Sequence, residues 1–257
     1  MKYCNRRFIR KSCFTLFELL ISVGLLVILS VVLLRTLALT GDYWHKTDEQ
    51  AQLQADAKTL FSLLSDDLGN LIYAAAAADG GFYAPLHIED NRLCMVTHNR
   101  TQSKINTKEA HSDICKVIYH FVAPVGETAG RVERKCSSDA NATASNPGKF
   151  DMSATSSSSF YTEELDNSST VIDTVVKFET AAYKFVKNDE TVTTVKVSNS
   201  DVFTSSDIRM IHVKLTLLPA KLFKQYSEVS GESEKQEYIR KHGKIFYKAF
   251  WIKPINQ

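Results

Sequence analysis

One carboxylate in this chain stands where a carboxylate is costly. Glu18 interrupts a run that is otherwise apolar from Phe14 to Leu34. A charge near the centre of a lipid-spanning helix costs about 2.5–3.5 kcal/mol by insertion scales, less near the interface. Glu18 sits near one end of the run, where it can face headgroups, but a plain anchor gives no reason for it. The other reactive side chains are more scattered. Cys94, Cys115 and Cys136 are spaced 21 and 21 apart, without the close C-x2-C pairing of a zinc site. They read as structural cysteines; three of them allow one disulfide and one thiol, and spacing alone does not choose the pair. Asp66 and Asp67 are adjacent on a predicted helix, so they point about 100° apart and do not form a carboxylate dyad. Glu89 and Asp90 offer carboxylates without the EF-hand ligand pattern. His120 and His212 fall within predicted strands and read as sheet residues. No G-x-S-x-G, H-E-x-x-H, P-loop or G-x-G-x-x-G motif occurs, so neither an enzyme nor a cofactor or metal site is expected.

The element that must position Glu18 is a helix. Lys2, Arg6, Arg7, Arg10 and Lys11 precede the apolar run with no acid among them, and 23 residues separate Lys11 from Arg35. At about 1.5 Å per residue, that length spans a hydrocarbon core of roughly 30 Å. Only a helix satisfies its own backbone polar groups in lipid. The basic flank predicts a cytoplasmic N-terminus and export of residues beyond about 40. A secretory signal has an apolar core of only about 7–15 residues and a small-x-small cleavage site. Here the run is longer, and Leu37-Ala38-Leu39 matches that site poorly.

The basic leader followed by FTLFELLISVGLLVILSVVLLRT resembles the class III signal of type IV prepilins, a basic leader meeting F-T-L-x-E-L-L. The resemblance implies that a membrane prepilin peptidase cuts between Cys13 and Phe14 and N-methylates Phe14. It also implies that Thr15 and Glu18 serve processing and assembly. Glu18 would be the fifth mature residue, pairing with the N-terminal amine of a neighbouring subunit in the filament. The family has Gly before the cut, where this chain has Cys13. The segment KTLFSLLSDDLGNLIYA, the pair KVIYHFVAP and RVERK, and DIRMIHVKLTLLP resemble, at pattern level, minor pseudopilins of the J class from type II secretion systems. That class implies a structural subunit at a pseudopilus tip, with prepilin peptidase, other pseudopilin subunits, the inner-membrane assembly platform and membrane lipid as partners. A type IV pilus minor pilin, a DNA-uptake pseudopilin and a non-polymerising, single-pass anchored periplasmic binding protein are the alternative readings.

Charge agrees with a removable leader. The chain has 31 basic and 29 acidic residues, net +2. Residues 1–13 carry five of the basic ones, leaving 26 against 29, net −3. The basic excess is topogenic, and no nucleic-acid partner is expected.

Beyond the membrane run, an amphipathic helix is expected over 41–78 after an interruption at Gly41-Asp42. Leu53, Ala57, Leu60, Leu64, Leu68 and Leu71 form one stripe at helical spacing. The opposite face is assigned Asp48, Glu49, Gln52, Gln54, Asp56, Lys58, Asp66 and Asp67. Such a helix needs a partner along one side, and residues 82–257 supply it as a β-rich domain. Strands are predicted at 92–97, 116–123, 174–178, 182–186, 191–197, 208–218 and 244–252, with a hairpin at 187–190. Residues 136–170, rich in Ser, Thr, Asn and Ala, are expected to form a mobile insert. The charged run 221–242 is expected to be a solvated helix or loop face. The fold expected is therefore α+β and pilin-like: a long N-terminal helix, its first half transmembrane, packed on an antiparallel sheet.

Overall fold

A computed structural model describes residues 15–71, 86–89, 91–98, 114–138, 168–188, 191–197 and 208–252. The leader 1–13, with Phe14, lies outside the described residues, as do 72–85 and 139–167. The chain divides into two compact units, Met1–Gln50 and Ala51–Gln257. The class is α+β: one long N-terminal helix and an eight-stranded antiparallel sheet.

Helix α1 runs over Leu16–Gly69, 54 residues. It passes through Gly41 and Asp42 without the expected interruption, because one Gly costs only about 1 kcal/mol against many favourable turns. In the first unit the apolar side chains from Leu16 to Leu39 are all exposed, and this stretch is long and apolar enough to cross a membrane. Its hydroxyls do not disturb that character. Ser22, Ser30, Thr36 and Thr40 each donate to the carbonyl four residues back, at 2.6–2.8 Å. A hydroxyl bonded in this way brings no unsatisfied donor into an apolar medium.

In the second unit the last turns of α1 bury the predicted stripe. Leu53, Ala57, Leu60, Phe61, Leu64 and Leu68 form one core with the facing side of the sheet. The helix stops at Gly69, short of the 78 expected. Leu71 bridges to Thr97, and His98 N–H donates to the Asn70 carbonyl at 2.9 Å, so sheet pairing captures the chain before another turn forms.

The strands are β1 (Leu86–Glu89), β2 (Arg92–His98), β3 (Ile114–Val122), β4 (Gly130–Ser138), β5 (Ser169–Asn188), β6 (Thr191–Lys196), β7 (Ile208–Leu217) and β8 (Lys244–Trp251). Their order is β1-β2-β3-β4-β5-β7-β8, with β6 beside β5. Strand β5 replaces two predicted strands. No turn residue separates them, and Glu179 and Thr180 pair with Lys214 and Val213 of β7. Its other edge is shared by β4, along its first part, and β6, along its last. The β5–β6 ladder continues to Asn188↔Thr191, where the hairpin is expected. Strands β1 and β4 take up segments that strand periodicity does not mark. The expected insert 136–170 narrows accordingly: 136–138 belong to β4 and 169–170 to β5. Glu89 is the last residue of β1, and Asp90 is outside the described residues.

Gly130 starts β4 at a register shift against β5. A Cβ there would run into the Val175 carbonyl oxygen, so only glycine permits this approach. Pro219 closes β7. It leads into a 3-10 turn (Ala220–Leu222), α2 (Phe223–Glu228) and α3 (Glu232–His242), which hold a small second core around Val176, Leu218 and Phe223. Helix α3 carries Glu232 and Glu234 in its first turn and Arg240, Lys241 and His242 in its last, complementing the helix dipole. Its residues are exposed or half-buried, as the charge run implies.

Candidate functional site

The first helical turn is organised by the two residues singled out in the apolar run. Glu18 N–H donates to Thr15 Oγ1 at 3.3 Å. Glu18 Oε2 accepts from the Thr15 backbone N–H at 3.1 Å and from its hydroxyl at 3.2 Å. This reciprocal arrangement is a capping box, with Thr15 as N-cap and Glu18 at the third helical position. Both residues are exposed. The cap gives Glu18 a use within its own chain that ordinary anchoring does not. It also fixes the carboxylate at the positive end of the helix dipole, with lone pairs left over for a further donor. Cys13 and Phe14 lie outside the described residues.

The second cluster was not legible as a site in the sequence. Asp67, placed on the solvent face by the sequence reading, is 2% exposed. Arg134 of β4 grips it bidentately, Nε to Oδ2 and Nη2 to Oδ1, both at 2.9 Å. The Tyr119 hydroxyl of β3 donates to Oδ2 at 2.5 Å and accepts from Arg134 Nε at 3.2 Å. Tyr119 and Arg134 are directly opposed in the β3–β4 ladder, so one rung of the sheet presents a phenol and a guanidinium to the helix. Burial, then the Asp67 charge, pushes the Tyr119 hydroxyl above its ordinary range. Burial alone would lower Arg134, but its bonds and charge contacts with Asp67 and Tyr119 outweigh it and raise it. A usable signal did exist: Asp67 is three residues after Leu64 and seven after Leu60, on the apolar stripe itself. Asp66 beside it stays exposed. Asp56 is likewise half-buried rather than solvent-facing. It accepts from Thr174 Oγ1 at 3.2 Å, and burial raises its pKa against that bond.

The three downstream cysteines separate by face. Cys94 pairs with Ile118, whereas Cys115 and Cys136 lie on the opposite, helix-facing side with Val117 and Tyr119. None is in a disulfide in this structure. Among the described residues no three His, Cys, Asp or Glu side chains converge as a metal site. No family model, curated protein or solved structure matches this chain.

The outer side of the sheet carries His120 and His212. His212 stacks on Tyr247 at 5.9 Å, beside exposed Trp251 and Phe185. His120 sits between Arg92 and Glu133 on neighbouring strands, and its Nδ1 has no hydrogen-bond partner among the described residues. Burial, then Arg92, pushes its pKa below 6.5, with Arg131 adding and Glu133 opposing. A depressed histidine contributes stability that is present above its unfolded pKa and is lost as pH falls through the folded one. Thermal stability should therefore decline on acidification from pH 7 toward 5.5. The decline should be shallower in His120→Gln, as scanning calorimetry of both proteins would show.

Proposed function

We propose that this chain is a structural subunit of a type II secretion pseudopilus, a minor pseudopilin contributing to filament initiation or tip assembly, and not an enzyme. In this reading the inner membrane holds the chain through residues 14–40, with the basic leader cytoplasmic and the sheet-bearing unit periplasmic. Prepilin peptidase removes residues 1–13 and methylates Phe14. Extraction by the assembly platform then exchanges lipid around the apolar half of α1 for the apolar helices of other pseudopilin subunits. The observation that carries the reading is the end of that half: a fully exposed apolar helix whose only carboxylate is held in its first turn. A carboxylate fixed there, one residue after Thr15-Leu16-Phe17 and four after Phe14, is placed to meet an amine at the start of a neighbouring helix. From Leu19 to Leu34 the exposed length carries no charge, and its hydroxyls are bonded internally, which suits both lipid and a packed helical bundle.

The reading is tested by intact-mass and terminal-peptide spectrometry of the protein from cells with active prepilin peptidase. A chain beginning at N-methylated Phe14 is expected. Recovery of the uncleaved chain alone, still carrying Cys13, would leave a signal-anchored periplasmic binding protein as the surviving reading.

A further inference from the structure

We propose that Cys115 and Cys136 form an intramolecular disulfide that staples β3 to β4 beneath the C-terminal end of α1, while Cys94 takes no part. The register makes the selection. Cys115 is opposite Ser138 and Cys136 is opposite Val117, so the two cysteines are diagonal neighbours on one face. Cys94 lies in line with Ile118, on the other face of the same sheet, with the backbone of the sheet between it and the pair. Diagonal neighbours in a regular ladder are about 7–8 Å apart, closer at Cβ, and a disulfide needs Cα atoms within about 7 Å. The Cys115 and Cys136 side chains interact directly, so the two thiols are already neighbours. The pair also lies at the end of the β3–β4 ladder, where β3 begins at Ile114 and β4 ends at Ser138, so closing the bond calls for backbone movement at these two strand ends alone.

Access and order of attack follow from exposure. Cys115 is fully buried, and Cys136 is half-buried at the margin of the core. The chemistry requires an external disulfide as oxidant. The Cys136 sulfur, losing its proton, attacks that disulfide and expels one small thiol, leaving a mixed disulfide on Cys136. The Cys115 sulfur, losing its own proton, then attacks the Cys136 sulfur and expels the second thiol. One external disulfide is reduced to two thiols, and two protein thiols are oxidised to one disulfide. The bond to Cys115 and burial hold the Cys136 proton above the ordinary thiol range, with Arg134 opposing. The first step is therefore slow at neutral pH and faster in mild alkali.

The site does not depend on which filament, if any, the chain joins. The test is to incubate the full chain in detergent at pH 8.5 with oxidised glutathione, block residual thiols after unfolding, and map tryptic peptides. The expected product joins the peptide 109–116 to the peptide 136–149, with Cys94 recovered in blocked form. Closing this loop should also raise the melting midpoint by about 5–10 °C, reversibly on reduction. In Cys115→Ala the mixed glutathione disulfide on Cys136 should accumulate. Recovery of Cys115 and Cys136 both blocked, or of either joined to Cys94 or to another chain, would overturn the assignment.

Discussion

Replacing Asp67 with Ala should destabilise the sheet-bearing unit by about 3–5 kcal/mol, the cost of breaking a buried ion pair by removing one of its members. Arg134 is 9% exposed and remains charged at every accessible pH, so it has no neutral form to retreat to. Arg134→Met should cost a similar amount for the mirrored reason, since it strands the Asp67 carboxylate with only the Tyr119 hydroxyl as partner. The double variant Asp67→Leu with Arg134→Met removes both charges and should recover most of the loss, because a buried ion pair seldom outperforms well-packed apolar groups. Arg134→Lys should fall between, as a point charge cannot reproduce the two parallel 2.9 Å bonds. Tyr119→Phe should cost about 1.5–3 kcal/mol, since the hydroxyl donates to one charged group and accepts from another. Urea unfolding of the five variants, followed by fluorescence, checks the series. Additive single losses, with no recovery in the double, would show that the residues act through packing instead of through their charges.

The contrast between this cluster and the rest of the fold shows what periodicity transmits. The stripe Leu53, Ala57, Leu60, Leu64 and Leu68 was legible because apolar burial repeats at a fixed spacing, and these five are buried as expected, whereas Leu71, the sixth, lies past the helix end and is only partly buried. Strands β2, β3, β6, β7 and β8 were legible for the same reason at period two. Strand β4 was not. Its inward row is Val132, Arg134 and Cys136, so the alternation is broken at the residue that matters most, and its pairing partner is 67 positions away in sequence. Classing Asp67 by its chemistry, and not by its place on the stripe, hid the other half of the pair. Likewise the single strand β5 read as two, because the polar residues Glu179 and Thr180 weaken the apolar pattern without breaking the backbone. The cysteines needed register, which spacing does not contain: strand pairing sets Cys115 and Cys136 diagonally on one face and sends Cys94 to the other. Glu18 was conspicuous by its cost, but its cap with Thr15 is a local rule that the larger family motif obscured.

That cap separates two uses of Glu18 that a simple alanine substitution would merge. Glu18→Ala removes the charge and the cap together. Glu18→Gln keeps an acceptor at the third helical position, which capping boxes tolerate, and removes only the charge. Thr15→Ala does the reverse, costing the first turn about 0.5–2 kcal/mol while leaving the carboxylate in place. If Glu18 pairs with the amine of a neighbouring subunit, Glu18→Gln should cripple filament assembly nearly as fully as Glu18→Ala. A broken charge pair in an apolar bundle costs about 3–5 kcal/mol, which corresponds to a weakening of roughly a hundredfold to several thousandfold at each contact. Thr15→Ala should then assemble, at most with a frayed first turn. The opposite ranking, with Glu18→Gln assembling and Thr15→Ala failing, would assign Glu18 to the cap alone. Filament yield, read beside the terminal mass of each variant, distinguishes a defect in assembly from one in cleavage. Cleavage must be scored because Thr15 is the second residue after the proposed cut and Glu18 the fifth. Membrane insertion should survive in all three variants, since the apolar run from Leu19 to Leu34 is unchanged.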